Sequence, residues 1–196
     1  MKEDNREIEA KFPIGSVDGC LPKVLAAGAV CEQPMQFERN LRFDDKEGTL
    51  SQTSQVLRLR DNGGTAVLTY KSDKNSSSGL ADREEIETVV EDFDRTRLIL
   101  ERLGFEVCFI YEKYRSIYSL GQTGIFVDRT PIGDFIEIEG PDEETIRVTA
   151  EQIGLDWETR SGKGYRALFN NWKNETGYPG RDMVFAESTE RSALSD

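Results

Sequence analysis

The 196-residue sequence contains no histidine and only three cysteines. Without histidine, Ser-His-Asp and Cys-His nucleophiles cannot form, and histidine-based zinc sites are excluded. Cys20, Cys31 and Cys108 are spaced unlike a zinc ribbon or a disulfide framework, so we expect reduced thiols in a cytoplasmic protein. Any catalysis must therefore use carboxylates, lysines, arginines, tyrosines or a metal ion.

Positive charge is in deficit, and long apolar runs are missing. Lysine and arginine number 25 against 37 aspartates and glutamates, which gives a formal net charge of −12. Such an acidic chain is not expected to bind nucleic acid non-specifically or to dock on anionic membranes. Residues 1–4 are mostly charged and no apolar run follows them, so we expect neither a signal peptide nor a transmembrane span.

The chain instead consists of short segments with alternating or helical patterns. The predicted strands are 6–12, 37–43, 55–60, 65–71, 83–90, 107–118, 125–129 and 135–139. The predicted helices are 17–27, 92–103, 140–154 and 165–173. Strands outnumber helices and short turns join most of them, as at Asp61-Asn62-Gly63-Gly64.

These elements predict the α+β class, with about eight mostly antiparallel strands in a barrel-like sheet and a few outer helices. Residues 1–176 are predicted to form one domain. Residues 177–196 are predicted to be a polar tail, in which residues 183–185 form a segment able to dock.

The predicted strands carry their charges on one face. Glu7, Glu9 and Lys11 share one side of the first strand, and apolar residues share the other. Later strands repeat this pattern with pairs of like sign at spacing two, such as Arg58 and Arg60. For any single strand the ordinary interpretation is a solvated face. Solvated faces, however, usually mix the two signs with threonine, serine and glutamine.

If the sheet closes with these faces inward, seven cations meet seven carboxylates. The cations are Lys11, Arg58, Arg60, Lys71, Arg83, Lys113 and Arg115, and the carboxylates are Glu7, Glu9, Glu85, Glu87, Asp128, Glu137 and Glu139. Burying so many ions is costly, so stability alone would not select them. A polyphosphate explains the cations, and carboxylate pairs would hold Mg²⁺ or Mn²⁺ that bridges its phosphates. The sequence therefore predicts a metal-dependent site for a triphosphate chain.

Several short motifs resemble, in their order and spacing, the CYTH family of class IV adenylyl cyclases and thiamine triphosphatases. They are E-I-E-A-K (7–11), L-R-L-R (57–60), T-Y-K (69–71), R-E-E-I-E (83–87), E-K-Y-R (112–115), V-D-R-T-P-I-G-D-F-I-E-I-E-G (127–140) and K-G-Y (163–165). The resemblance covers roughly residues 6–170 and implies a triphosphate tunnel, an eight-stranded closed barrel with a charged interior. The family often has a histidine two residues before the first glutamate, where this chain has Asn5.

The resemblance also implies roles for individual residues. The phosphate-binding set would be Lys11, Arg58, Arg60, Lys71, Arg83, Lys113 and Arg115, with an ion pair to a glutamate as the alternative for Arg83. The metal-binding set would be Glu7, Glu9, Asp128, Glu137 and Glu139. The catalytic set would be Glu85, Glu87 and Lys71, in which a glutamate completes the metal shell or orients the attacking water.

Three functions are compatible with this interpretation. The first is metal-dependent hydrolysis of inorganic tripolyphosphate, a nucleoside triphosphate or thiamine triphosphate. The alternative is a class IV-type adenylyl cyclase, because tunnel residues bind phosphates and hardly contact the rest of the substrate. The third is a non-catalytic polyphosphate-binding module, although binding an anion alone would not need the glutamates. A homodimer is also compatible with a barrel that carries outer helices.

Overall fold

The computed structural model of the chain describes residues 5–72 and 79–186. These residues form eight β-strands and five α-helices, and a 3₁₀ turn at Trp157–Thr159. The strands are β1 (Arg6–Ile14), β2 (Val30–Asp44), β3 (Val56–Asp61), β4 (Ala66–Lys71), β5 (Ala81–Val90), β6 (Glu106–Leu120), β7 (Thr123–Thr130) and β8 (Gly133–Glu139). The helices are α1 (Val17–Ala26), α2 (Thr49–Gln52), α3 (Phe93–Arg102), α4 (Glu143–Gln152) and α5 (Tyr165–Thr176). None of the helices described is long and apolar enough to cross a membrane.

The strands close into a barrel in the order β1-β5-β4-β3-β2-β6-β7-β8, and every neighbouring pair is antiparallel. The predicted α+β class and the eight-stranded antiparallel closed barrel are therefore confirmed. Because side chains alternate along a strand, each strand turns one set of residues into the barrel and the other set outward.

Three apolar clusters join the barrel strands to the helices. Apolar residues of β1, β7 and β8 form a cluster with α1 and α4. A second cluster joins β2 and β3 to α3. A third cluster contains Phe109, Tyr111 and Phe135 from the strands and Tyr165 and Phe169 from α5. This third cluster places α5 against interior-facing side chains, so α5 closes one end of the barrel.

The largest difference from the predicted strands is in β2, which spans Val30–Asp44 rather than 37–43. Its pairing with β6 shifts register between Cys31 and Gln33 and again between Gln33 and Gln36. Such bulges interrupt the alternation of side chains, which is the sequence signal for a strand. The first half of β2 therefore carries no regular pattern.

The start of α4 also differs from the prediction. The helix begins at Glu143, because the side chain of Asp142 accepts a hydrogen bond from the Thr145 amide at 2.8 Å and caps it. Gly140 and Pro141 therefore lie before the cap rather than in the first turn.

The first part of the predicted tail lies against β6. The Met183 amide donates to the Ile110 carbonyl at 3.0 Å, and the Met183 carbonyl accepts from the Glu112 amide at 2.9 Å. The Met183 side chain is 1% exposed, and the ring of Phe185 contacts that of Tyr114. Residues 187–196 of the predicted tail lie outside the described residues.

Candidate functional site

The barrel interior encloses a cavity of about 320 Å³ that is lined mainly by charged side chains. All seven cations predicted from the sequence line this cavity, and so do six of the seven predicted carboxylates. The seventh carboxylate, Asp128, is fully buried beside the cavity. The strands therefore bring the charged faces together inside the barrel.

One ion cluster joins β1, β4 and β5. The Lys71 ammonium donates to both Glu7 carboxylate oxygens at 2.7 Å and lies 3.1 Å from Glu85. Burial raises the pKa of Glu7, and the neighbouring Glu85 carboxylate adds to this shift. The Lys71 ammonium opposes the shift without cancelling it. Arg83, opposite Glu7 in the β1–β5 register, lies 3.7 Å from it. Arg83 thus lines the cavity and lies close to a glutamate, and its binding of phosphate stays a prediction.

A second cluster lies on β3, β4 and β5. Arg58 donates to the Thr69 hydroxyl and to Glu87, both at 3.0 Å, and the Thr69 hydroxyl donates to Glu87 at 2.7 Å. Arg60 lies 3.6 Å from the same Glu87 oxygen. Burial favours the protonated form of Glu87, but Arg58 and Arg60 outweigh it and lower the pKa. Glu87 is therefore held ionised by arginines.

A third cluster is built around Asp128 on β7. Arg115 grips it with two hydrogen bonds of 2.6 and 2.5 Å, Lys113 donates at 3.1 Å, and the Tyr165 hydroxyl donates at 2.5 Å. A bidentate arginine–carboxylate pair fixes the orientation of both groups. Asp128 thus orients Arg115 and Lys113, and ligation of a metal by Asp128 would require these bonds to be exchanged.

Glu137 on β8 links the cations of neighbouring strands. One of its oxygens lies 2.7 Å from Arg115, 3.1 Å from Lys11 and 3.9 Å from Lys113. Burial favours the protonated form, but these three cations hold the pKa of Glu137 well below its ordinary value. Glu139, two residues further along β8, lies opposite Glu9 of β1 in the register.

The interior also contains residues that the sequence reasoning missed. Glu38 and Arg42 of β2 and Tyr111 of β6 line the cavity, and Asn40 is fully buried between Glu38 and Arg42 along β2. Within the described part of the chain, neither polar atom of the Asn40 amide has a hydrogen-bond partner. The signal was available, because Glu38, Asn40 and Arg42 recur at spacing two within a predicted strand.

Tyr165, the last residue of the K-G-Y motif, is another cavity residue whose role was not predicted. Its ring lies 4.8 Å from the Lys11 ammonium and 5.1 Å from that of Lys113. An aromatic face attracts a cation by its quadrupole. The first residue of α5 therefore forms part of the cavity floor and positions two of the predicted phosphate-binding lysines.

Arg42 is a further cation on the cavity wall. Burial, with Arg166 and Arg83 nearby, lowers its pKa, and its guanidinium donates a hydrogen bond to the Gln55 carbonyl at 3.4 Å. In residues 5–72 and 79–186 no carboxylate lies within ion-pair distance of Arg42. An anionic ligand in the cavity would compensate this charge.

The donor set of the interior suits a divalent metal ion. No three carboxylate or thiol groups of the described residues already converge on one point, because lysines and arginines occupy the carboxylates. Glu7 and Glu85 nevertheless share the Lys71 ammonium, and the two carboxylates repel each other. Their arginine partners are more distant, at 3.7 Å from Glu7 and 3.8 Å from Glu85. Carboxylate oxygens are the ligands that Mg²⁺ and Mn²⁺ prefer. The residues present therefore fit such an ion.

Comparisons with known proteins agree with this architecture. The CYTH domain model matches residues 5–164 of the chain. A Methanocaldococcus jannaschii protein named "Putative adenylate cyclase" is 31% identical over 105 residues, which are 53% of this chain and 59% of that protein. The match therefore spans less than two thirds of that relative.

Solved structures share the fold. A Vibrio parahaemolyticus protein of the same description has a TM-score of 0.74 at 23% identity, covering 86% of this chain and 99% of that chain. HpAC1 from Hippeastrum, an adenylyl cyclase candidate with a dominant triphosphatase activity, has a TM-score of 0.63 at 20% identity and covers 84% and 95% respectively. Since the family model matches most of its length, this chain belongs to the CYTH domain family.

Proposed function

We propose that this chain is a divalent-metal-dependent hydrolase of a triphosphate. The observation that carries the proposal is the closed barrel whose cavity is lined by eight lysines and arginines and by paired glutamates. Most of these cations pair with interior carboxylates, and the phosphates would exchange with those partners. A triphosphate chain supplies several negative oxygens at close spacing, which matches the density of cations in the cavity.

The cations would act by positioning the phosphates and neutralising their charge, which phosphoryl transfer needs more than covalent help. Lys11, Arg58, Arg60, Lys113 and Arg115 would bind phosphoryl oxygens. Arg115 is already oriented by Asp128, so little reorganisation would accompany substrate binding. The ordered network of ion pairs thus supplies the preorganisation that electrostatic catalysis requires.

Glu7, Glu9, Glu137 and Glu139 would hold Mg²⁺ or Mn²⁺, and Asp128 would join them only by releasing its present partners. When bound, the metal would neutralise phosphate charge. The four glutamates lie on the adjacent strands β1 and β8, where Glu9 is opposite Glu139 and Glu137 is opposite Lys11. The metal would therefore bind on this wall of the barrel.

Glu85 is the better placed of the two predicted catalytic glutamates. Glu87 is bound by Arg58 and by the Thr69 hydroxyl. Glu85 instead contacts Lys71 at 3.1 Å and Arg58 at 3.8 Å, without a second anchoring hydroxyl. We propose that Glu85 orients the attacking water and that Lys71 stabilises the charge that develops on the transferring or leaving group.

The triphosphatase activity of the Hippeastrum protein, which shares this fold, supports hydrolysis. Adenylyl cyclase activity is the second candidate, because the Methanocaldococcus jannaschii relative carries that name. The two reactions use the same phosphate site and differ in the nucleophile, which is water in one and the ribose 3′-hydroxyl in the other.

A product assay on the purified protein separates the two reactions. ATP, thiamine triphosphate and tripolyphosphate are supplied separately with Mg²⁺ and then with Mn²⁺, and the products are resolved by chromatography. Release of orthophosphate is the expected result. Cyclic AMP with pyrophosphate would establish the cyclase instead. Binding of triphosphate without any turnover, with either metal, would make the protein a non-catalytic binding module.

A further inference from the structure

Tyr111 on β6 brings an uncharged hydroxyl group into the ionic interior of the barrel. The residue lines the cavity and is 6% exposed. Its ring stacks on that of Phe109, with the ring centres 5.6 Å apart, and contacts the ring of Tyr165 at 6.0 Å. Such aromatic contacts restrict the side chain to one position. The Tyr111 hydroxyl is therefore held at a fixed place in the cavity.

The hydrogen bonding of this hydroxyl leaves its own hydrogen available. A guanidinium nitrogen of Arg58 donates to the Tyr111 oxygen at 3.3 Å. Because a guanidinium can only donate, the Tyr111 oxygen accepts this bond and its hydrogen points elsewhere. Among residues 5–72 and 79–186, Arg58 is the only hydrogen-bond partner of the hydroxyl. Tyr111 can therefore donate to a group that enters the cavity.

Asn40 is a second uncharged polar group on the same wall of the barrel. It lies opposite Tyr111 in the β2–β6 register and opposite Arg60 in the β2–β3 register. Its side chain is fully buried, and both polar atoms of its amide lack a hydrogen-bond partner in the described part of the chain. A buried amide without partners destabilises a fold, so an apolar residue would serve stability better here. A role toward a ligand explains why the position holds an amide.

The charges around Tyr111 indicate what kind of group would accept its hydrogen bond. Burial favours the neutral phenol, but Arg58 and Lys113 outweigh it and lower the pKa of Tyr111, although Glu38 opposes them. A lower pKa makes the hydroxyl a stronger donor. Since Arg58 and Lys113 repel other cations, an acceptor that reaches the hydroxyl from the cavity is expected to be an anion.

We propose that Tyr111 is a catalytic residue that donates a hydrogen bond to a non-bridging phosphoryl oxygen of the bound triphosphate, with the Asn40 amide as a second neutral donor on the same wall. This role rests on the proposed function and deepens it, because the residues assigned to the phosphates so far are all charged. Tyr111 keeps its proton throughout, and no covalent bond forms or breaks at it. A fixed neutral donor stabilises the charge that develops on one oxygen without adding another cation to the interior.

The test uses Tyr111→Phe, which keeps the ring and its stacking and removes only the hydroxyl. We expect kcat/KM for orthophosphate release to fall at least about tenfold. The Kd of a non-hydrolysable ATP analogue, measured by calorimetry, should rise by a smaller factor, because the hydrogen bond strengthens as charge develops. The thermal unfolding midpoint of the free protein should not fall. The matched control is Tyr114→Phe, the same change on the outer face of β6 at a residue that is 40% exposed, and it should behave as wild type.

Asn40→Val separates a role toward the ligand from a role in the fold. Removing an amide without partners should leave the free energy of unfolding of the free protein unchanged or raise it, while the Kd of the ATP analogue rises. A loss of stability with an unchanged Kd would make Asn40 a structural residue and remove it from the site.

The role of Tyr111 is overturned if Tyr111→Phe keeps the wild-type kcat/KM and Kd. A wild-type protein that binds triphosphate without turnover would instead overturn the proposed hydrolase. In that case the Kd values of the two variants still decide whether Tyr111 and Asn40 bind phosphoryl oxygens. Absence of any triphosphate binding to the wild-type protein would overturn both proposals.

Discussion

At the scale of single residues, Glu7 connects the ion network to the proposed metal site. We expect Glu7→Gln to lower turnover at least about 100-fold, because an amide cannot replace the negative charge of a metal ligand. The fold should persist, since Lys71 retains Glu85 at 3.1 Å. Steady-state kinetics and thermal unfolding of the same preparation measure the two effects.

The matched control is Glu84→Gln, the same change at an exposed position of β5. Turnover of this control should equal that of wild type. A Glu7→Gln enzyme that remained active and metal-dependent would remove Glu7 from the site.

Asp44 is expected to contribute to the stability of the fold rather than to activity. Its carboxylate accepts hydrogen bonds from the Leu50 amide at 2.9 Å, the Ser51 amide at 3.0 Å and the Ser51 hydroxyl at 2.5 Å. Burial would raise the pKa of Asp44, but these hydrogen bonds outweigh it and lower the pKa below 3.8. Asp44→Ala should therefore reduce the free energy of unfolding by about 2 kcal/mol at neutral pH.

The pH dependence of this loss follows from the lowered pKa. A carboxylate whose pKa is depressed by folding contributes its stability above the unfolded pKa, and the contribution disappears as the pH falls through the folded value. The difference between wild type and Asp44→Ala, measured by urea unfolding, should thus shrink below pH 3.8. Glu47→Ala, an exposed neighbour, should show no such difference at any pH. A difference in unfolding free energy between wild type and Asp44→Ala that stayed constant below pH 3.8 would contradict the lowered pKa of Asp44.

The sequence predicted interior charged residues where two side chains of like charge stand two positions apart, as at Glu7 and Glu9 and at Arg58 and Arg60. Sequence reasoning missed Glu38 and Arg42, which face the cavity from β2 with the uncharged Asn40 between them. Their partners come from other strands, so the sequence pattern alone does not show what surrounds them.

At the scale of elements, the segment around Met183 is predicted to stabilise the barrel. Met183→Ala should lower the free energy of unfolding by about 3 kcal/mol, because it empties a fully enclosed position against β6 and α5. Denaturant unfolding measures the change. Met35→Ala is the matched control, since Met35 is 38% exposed on β2 and its loss should cost little. Equal effects of the two substitutions would show that the segment does not contribute to the fold.

The sequence predicted most barrel strands because alternation and short turns are local signals. It did not predict the first half of β2, the short helix α2 or the backbone pairing of Met183 with β6. Each of these depends on bulges or on contacts with residues distant in the chain. Local periodicity therefore identified the regular part of the fold, and tertiary contacts determined the rest.

At the scale of the whole molecule, the protein keeps a cation-rich cavity inside an acidic chain. Binding of a triphosphate with Mg²⁺ should raise the midpoint of thermal unfolding, because the ligand compensates cations such as Arg42 only in the folded state. At a free ligand concentration of 100 times Kd, the gain is about 2.7 kcal/mol. Sodium chloride at matched ionic strength is the control and should not reproduce the shift. An unfolding midpoint independent of triphosphate would contradict a phosphate site in the barrel.

The most direct test of the central claim is the initial rate of orthophosphate release from ATP as Mg²⁺ is titrated into chelator-treated protein. The barrel of paired glutamates and clustered cations predicts no release without metal and a saturable rise as metal is added. Release that is undiminished in the presence of the chelator, or no release of phosphate at any concentration of Mg²⁺ or Mn²⁺, would contradict a metal-dependent triphosphatase site.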